Sequence, residues 1–182
     1  MTSTNVSTGK PKTTGAVFRA AGTVTPPTSA DASLGSDFKE LGYVSEDGVT
    51  NSFSTSTDPI RAWGGQTVLQ MQTEQSDTWK MTLIEPLNAE VLKAVFGDSA
   101  VTAGSTSIIV AAAGVPTSQN VYVIDMILTG NSLKRVVIPC GVLSEVGEIV
   151  YKDDEPIGYE ITITALPDSS GKTHYEYIKL AA

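Results

Sequence analysis

One cysteine and one histidine are all that the chain offers of the residues from which most catalytic and metal sites are built. Cys140 has no second thiol to pair with, so no intrachain disulfide can frame the fold. A lone histidine, His174, leaves no zinc site of the usual kind. Neither a glycine-rich phosphate loop ending in Gly-Lys-Ser/Thr nor a Gly-x-Ser-x-Gly nucleophile elbow occurs. Basic residues are scarce: 12 Lys and Arg stand against 20 Asp and Glu, a net charge of −8. That balance argues against a surface that grips phosphates, but suits one that nucleic acid passes without sticking. Aromatics make up 7%, few for a carbohydrate platform. No apolar run approaches the about 20 residues that span a bilayer, so no membrane partner is expected. Residues 1–15 lack the apolar core of a secretory signal, and use without Sec export is expected.

What is present is β-patterned, with 182 residues and 41% hydrophobic content, enough for one domain with a sizeable core. The most informative stretch is residues 62–97. Residues 67–74, TVLQMQTE, and 78–85, TWKMTLIE, predict two strands, with Glu74-Gln75-Ser76-Asp77 as a short hairpin connection. Alternation places Trp79, Met81 and Leu83 on an apolar face, and Gln70, Gln72, Thr78, Lys80 and Thr82 on a polar one. Pro86 then closes the strand, Asn88 supplies an N-cap, and Val91, Leu92, Val95 and Phe96 recur at helical spacing up to Gly97. A helix over about 88–97, too short to stand alone, must cover a sheet.

The remainder reads as strand and loop. Residues 1–15 have little apolar content and are expected to be a flexible arm that orders against a partner. Strands are predicted over 16–24, 39–45, 105–112, 120–129, 132–146, 158–165 and 173–180, with Pro139 and Gly141 marking a bulge or edge. Residues 45–65 are Ser/Thr-rich and almost free of apolar pattern until Ile60 and Trp63, and are expected to form a long loop. It is a mobile surface excursion, a second hairpin with exposed strands, or an intersubunit loop anchored by Ile60, Arg61 and Trp63. A single helix within about eight strands suits an antiparallel β-sandwich or barrel with the helix on one flank, rather than a parallel βαβ sheet.

Candidate chemistry is thin. Cys140 lies in the apolar run VVIPCGVL and reads as a buried strand thiol, and its pairing with His174 matches no family signature. Asp153-Asp154-Glu155 lacks the ligand spacing of a calcium loop, and nothing places Glu145 and Glu148 in a cleft. No catalytic residue, cofactor or metal is therefore assigned, and a binding or structural role is expected in place of catalysis.

The order of segments resembles the major tail (tail tube) proteins of long non-contractile-tailed, siphovirus-type bacteriophages. The residues that carry it are LGYVSEDGVT over 41–50, IRAWGG over 60–65, TLIE over 82–85 and NAEVLKAVFG over 88–97. The resemblance is best over residues 38–100 and looser beyond. It implies a β-sandwich flanked by one helix, spanning residues 16–182 and without a C-terminal immunoglobulin-like domain. It further implies homo-hexameric rings stacked into a tube that encloses a tape-measure protein and conducts DNA, ending at tail terminator and distal tail proteins. Such a protein would assemble in the host cytoplasm and reside in the virion. On this resemblance the segment at about 45–65, with Ile60, Arg61 and Trp63, would reach the adjacent ring. The polar face of Gln70, Gln72, Glu74, Thr78, Lys80 and Thr82 becomes a candidate lumen lining. The alternative is a β-sandwich binding module, for capsid decoration or carbohydrate, which would need an exposed aromatic platform.

Overall fold

The computed structural model describes residues 5–13 and 15–181. The protein is mainly β, with eleven strands and one α-helix among those residues. The strands are β1 (Gly9–Pro11), β2 (Val17–Ala21), β3 (Lys39–Glu40), β4 (Val44–Arg61), β5 (Thr67–Leu83), β6 (Val101–Ala103), β7 (Ile108–Val110), β8 (Gln119–Leu128), β9 (Leu133–Val146), β10 (Tyr159–Ala165) and β11 (Tyr175–Lys179). Helix α1 (Ala89–Phe96) separates β5 from β6. Nine strands form one antiparallel sheet in the order β3-β2-β8-β9-β10-β5-β4, with β1 added to β8 and β11 to β9, while β6 and β7 pair by themselves. The sheet does not close into a barrel, because β3 and β4 remain its two ends.

One face of this sheet converges on α1. Trp79, Met81 and Leu83 of β5, Ile161 and Ile163 of β10, Ile138 and Leu143 of β9 and Tyr122 and Ile124 of β8 share a core with Val91, Leu92, Ala94 and Val95 of the helix. The alternation of β5 and β10 therefore does what period-2 patterning requires. The helix begins where Asn88 accepts a hydrogen bond from the Glu90 amide at 3.0 Å and ends at Gly97, whose φ of 96° suits glycine. On the opposite face, Ala20, Val121, Val123 and Val137 are covered by the segment carrying Val24, Leu34 and Phe38. Strand β8 is thus buried on both sides, which explains its nearly continuous apolar run.

Bulges steer the long strands. Between Asn120 and Tyr122 the register of β8 against β9 slips by one residue at Pro139–Cys140, where the bulge was expected. Proline cannot donate to the ladder, and the slip lets β9 pair with β11 along its first half and β10 along its second. Gly141 is required there, since a Cβ would sit 2.6 Å from the Tyr122 ring.

Two expectations are corrected. Residues 45–65 are not a loop but the exposed hairpin weighed as its alternative: β4 runs through most of them as part of an 18-residue strand paired with β5. Likewise Glu74–Asp77 is not a turn, because β5 continues unbroken through it and the hairpin reverses at Ala62–Gln66 instead. Of the arm expected over residues 1–15, residues 1–4 and 14 lie outside the described residues, whereas Gly9–Pro11 pair with Leu128–Met126 as β1.

Candidate functional site

The feature without a role inside the domain is the outer part of the β4–β5 hairpin. From Phe53 to Ser76 every residue is exposed, and among the described residues the two strands pair there only with each other. The exposed part of each strand reaches about 30 Å at the rise of an extended chain. Its tip is tightly made: Ala62 N–H donates to Gln66 O at 2.8 Å, Gly65 N–H to Ala62 O at 2.9 Å, and Arg61 Nη1 to Gly65 O at 3.1 Å. Gly64 and Gly65 have φ of 106° and 87°, values other residues rarely adopt. Trp63 stands fully in solvent at 107% relative exposure, and Phe53, Ile60, Val68, Leu69 and Met71 are also exposed. An isolated two-stranded ribbon is marginal in water, and a row of bare apolar side chains on it is the mark of a surface awaiting a partner.

The base of the ribbon is locked. Asp77, 1% exposed, accepts hydrogen bonds from Asn51 Nδ2 at 2.7 Å and Thr173 Oγ1 at 2.6 Å, and its Oδ2 lies 2.6 Å from His174 Nδ1. The His174 ring also meets Trp79 edge-on with centroids 5.3 Å apart. One carboxylate thus joins β4, β5 and the segment preceding β11 where the ribbon leaves the body. Nothing in the local sequence distinguished Asp77 from a turn residue. Its signal was its parity with Trp79, Met81 and Leu83, which puts it on the inward face.

The candidate lining residues divide. Thr78, Lys80 and Thr82 share one outward face with Glu160, Thr162 and Thr164 of β10, which stand opposite them in register. Thr50 and Ser52 of β4 extend this face on the other side. Lys80 is neutralised by Glu160 at 2.9 Å. Glu74, opposite Ser56, belongs to the same face. Gln70 and Gln72 do not: the register slips by one residue between Ser56 and Thr57, with Thr73 as the extra residue. Because successive side chains alternate, the slip turns Gln70 and Gln72 to the opposite side and brings Leu69 and Met71 round in their place. Ile60 pairs with Leu69 on that side, whereas Arg61, after a second slip, lies on the other with Thr67.

The residues weighed for chemistry stay apart from one another. His174 is engaged with Asp77, and Cys140 sits at the β9 bulge. Burial, and after it the Asp168 carboxylate, pushes the Cys140 thiol above its ordinary value, which lowers its nucleophilic fraction. Among the described residues no cluster of three or more His, Cys, Asp or Glu is placed to hold a metal, and no helix is long and apolar enough to cross a membrane.

A family profile described as "Phage tail tube protein" matches residues 6–182. The chain belongs to the phage tail tube protein family. Membership makes it a structural protein of a bacteriophage tail, carried in the virion and assembled with other tail proteins. No curated protein matches the chain. Among solved structures it is similar to the tube-terminating cap of the anti-feeding prophage, at 8% identity and a TM-score of 0.47, covering 100% of this chain and 99% of that one. For a tail tube family member, the outward ribbon and the hydroxyl-rich face of β4, β5 and β10 are the two surfaces to account for.

Proposed function

We propose that the protein is the repeating subunit of a siphovirus-type tail tube, forming homo-hexameric rings that stack into a hollow conduit. The observation that carries this reading is the ribbon: a family member holds a long, rigidly based hairpin with bare apolar residues that its own domain does not cover. In the assembled tube the ribbon, with Ile60, Arg61 and Trp63, contacts the adjacent ring. The bare edge of β4 is a liability in a free subunit and is covered on ring closure. The face of Ser52, Thr78, Lys80, Thr82, Glu160, Thr162 and Thr164 lines the lumen. Its hydroxyls hold water, and its one cation is already paired with Glu160, so DNA slides past without the counterion release that drives binding. The same lumen encloses a tape-measure protein during assembly in the host cytoplasm, and the tube ends at terminator and distal tail proteins. The role needs no catalysis and no cofactor.

Negative-stain electron microscopy of the purified protein tests the reading. Rings or hollow tubes of stacked rings are expected. Protein that remains monomeric at all concentrations, alone and with a tape-measure partner, would sink it.

A further inference from the structure

The body of the domain carries a groove of mixed apolar and hydroxyl lining, floored by the core residues Leu92 and Tyr159, that is distinct from the lining face. It lies between the N-terminal end of α1 and the β6–β7 hairpin and has a volume of about 560 Å³. Pro86, Leu87, Leu92, Ile108, Val110 and Tyr159 line it, the hydroxyls of Ser105, Thr106 and Ser107 form one rim, and no charged side chain enters it. Leu87 is almost wholly exposed there. The volume falls within the range of clefts that hold small organic groups.

We infer that this groove receives Trp63 from the ribbon tip of a second copy of the chain. This rests on the stacked-ring reading above and names the receiving surface within it. Three observations select a second copy as the occupant. Head-to-tail assembly needs two different complementary surfaces on one chain, and the fully exposed indole and the open groove with its apolar side chains are such a pair. Tryptophan and arginine are the commonest interface anchors, and Trp63 follows Arg61 by two residues. Charge is complementary as well. Arg61 is the one basic residue between Phe53 and Ser76, and a depression continuous with the groove at Pro86 and Leu87 contains Glu85. That carboxylate accepts from the Tyr43 amide and Asn88 Nδ2, and retains lone pairs for a guanidinium. Arg61 in turn spends one N–H on Gly65 O and keeps the others free.

Cross-linking between two singly substituted proteins tests this. In a Cys140→Ser background, one protein carries Gln66→Cys beside the tip and the other carries Thr106→Cys on the groove rim; both retain Trp63. Mixed, co-assembled and treated with a short bismaleimide, they should yield a covalent dimer that neither protein gives alone. Separately, Trp63→Ala and Leu87→Asp, both at exposed positions, should each lower tube yield at least about tenfold while circular dichroism and melting stay unchanged. Tubes that form without the heterodimer, or that tolerate both substitutions, overturn the groove assignment and leave the tail tube reading intact. Cross-linking of Thr106→Cys to a different tail protein in phage particles also overturns it. Failure of the unsubstituted protein to form rings or tubes overturns both.

Discussion

Arg135 has about 1% of its surface exposed, yet every polar contact it makes is well formed. It grips Asp125 with two bonds of 2.6 and 2.7 Å and donates to the carbonyls of Ser29 and Ala32, which fastens the segment before β3 over the second face of the sheet. Arg135→Ala leaves the Asp125 carboxylate buried with only Lys12, at 3.7 Å, to offset it. A loss of about 3–5 kcal/mol is expected in urea denaturation, and the double change Arg135→Met with Asp125→Leu should recover much of it. Asp77 behaves similarly at the ribbon base, where Asp77→Ala removes the acceptor of Thr173 Oγ1, leaves Asn51 Nδ2 only Thr78 O at 3.2 Å, and is expected to cost about 1–3 kcal/mol, with faster amide exchange at Asn51 and Thr78. Tyr122 reports on the core through pH. Burial pushes its phenol up to about 12 from an ordinary 10.0, so the folded state holds the proton more tightly than the unfolded one. Its stability contribution is complete below pH 10 and is lost as pH rises toward 12, up to about 3 kcal/mol. Tyr122→Phe should flatten that alkaline fall in stability measured by denaturation at pH 9 to about 12.

At the scale of elements, the helix and the inner half of β5 were readable because a packed face imposes a period. Asn88, Val91, Leu92, Val95 and Gly97 form a capped amphipathic turn sequence, and α1 lies within one residue of its predicted bounds. Strands β8, β9 and β10 likewise follow the predicted runs, as does the bulge at Pro139. The ribbon was readable only as one alternative among several, for the opposite reason. A hairpin exposed on both faces has no core to set its alternation, so residues 45–65 look like loop although their many Ser, Thr and β-branched residues tolerate a strand. The polar run Glu74–Asp77 had the composition of a turn while Ala62–Gly65 held the backbone that makes one. The slip at Thr73 separates Gln70 and Gln72 from the face of Thr78, Lys80 and Thr82, since parity carried along the sequence cannot see an inserted residue. Replacing residues 57–72 by a short turn removes only contacts within the ribbon. The truncated domain should keep its stability to within about 1 kcal/mol by urea denaturation and should form no tubes by electron microscopy.

For the whole molecule, the division of labour follows from how surface is covered. The helix and the segment before β3 bury the two faces of the sheet's centre, while the long hairpin and the β4 edge stay bare in the single chain, the surfaces that the proposed assembly covers with other copies. A net charge of −8 keeps free subunits apart at low ionic strength, so tube formation should be favoured by salt, as light scattering at rising sodium chloride would register. Placing Lys at both Thr162 and Thr164 should leave assembly intact while slowing DNA release from phage particles, most strongly at low salt. The most direct measurement is a cryo-electron microscopy reconstruction of tubes formed by this protein. Hexameric rings are expected, with the face of Thr78, Lys80 and Thr82 on the lumen and each β4–β5 ribbon resting on the next ring. A tube whose lumen is lined by another face, or in which the ribbons point away from the neighbouring ring, would contradict the proposed assembly.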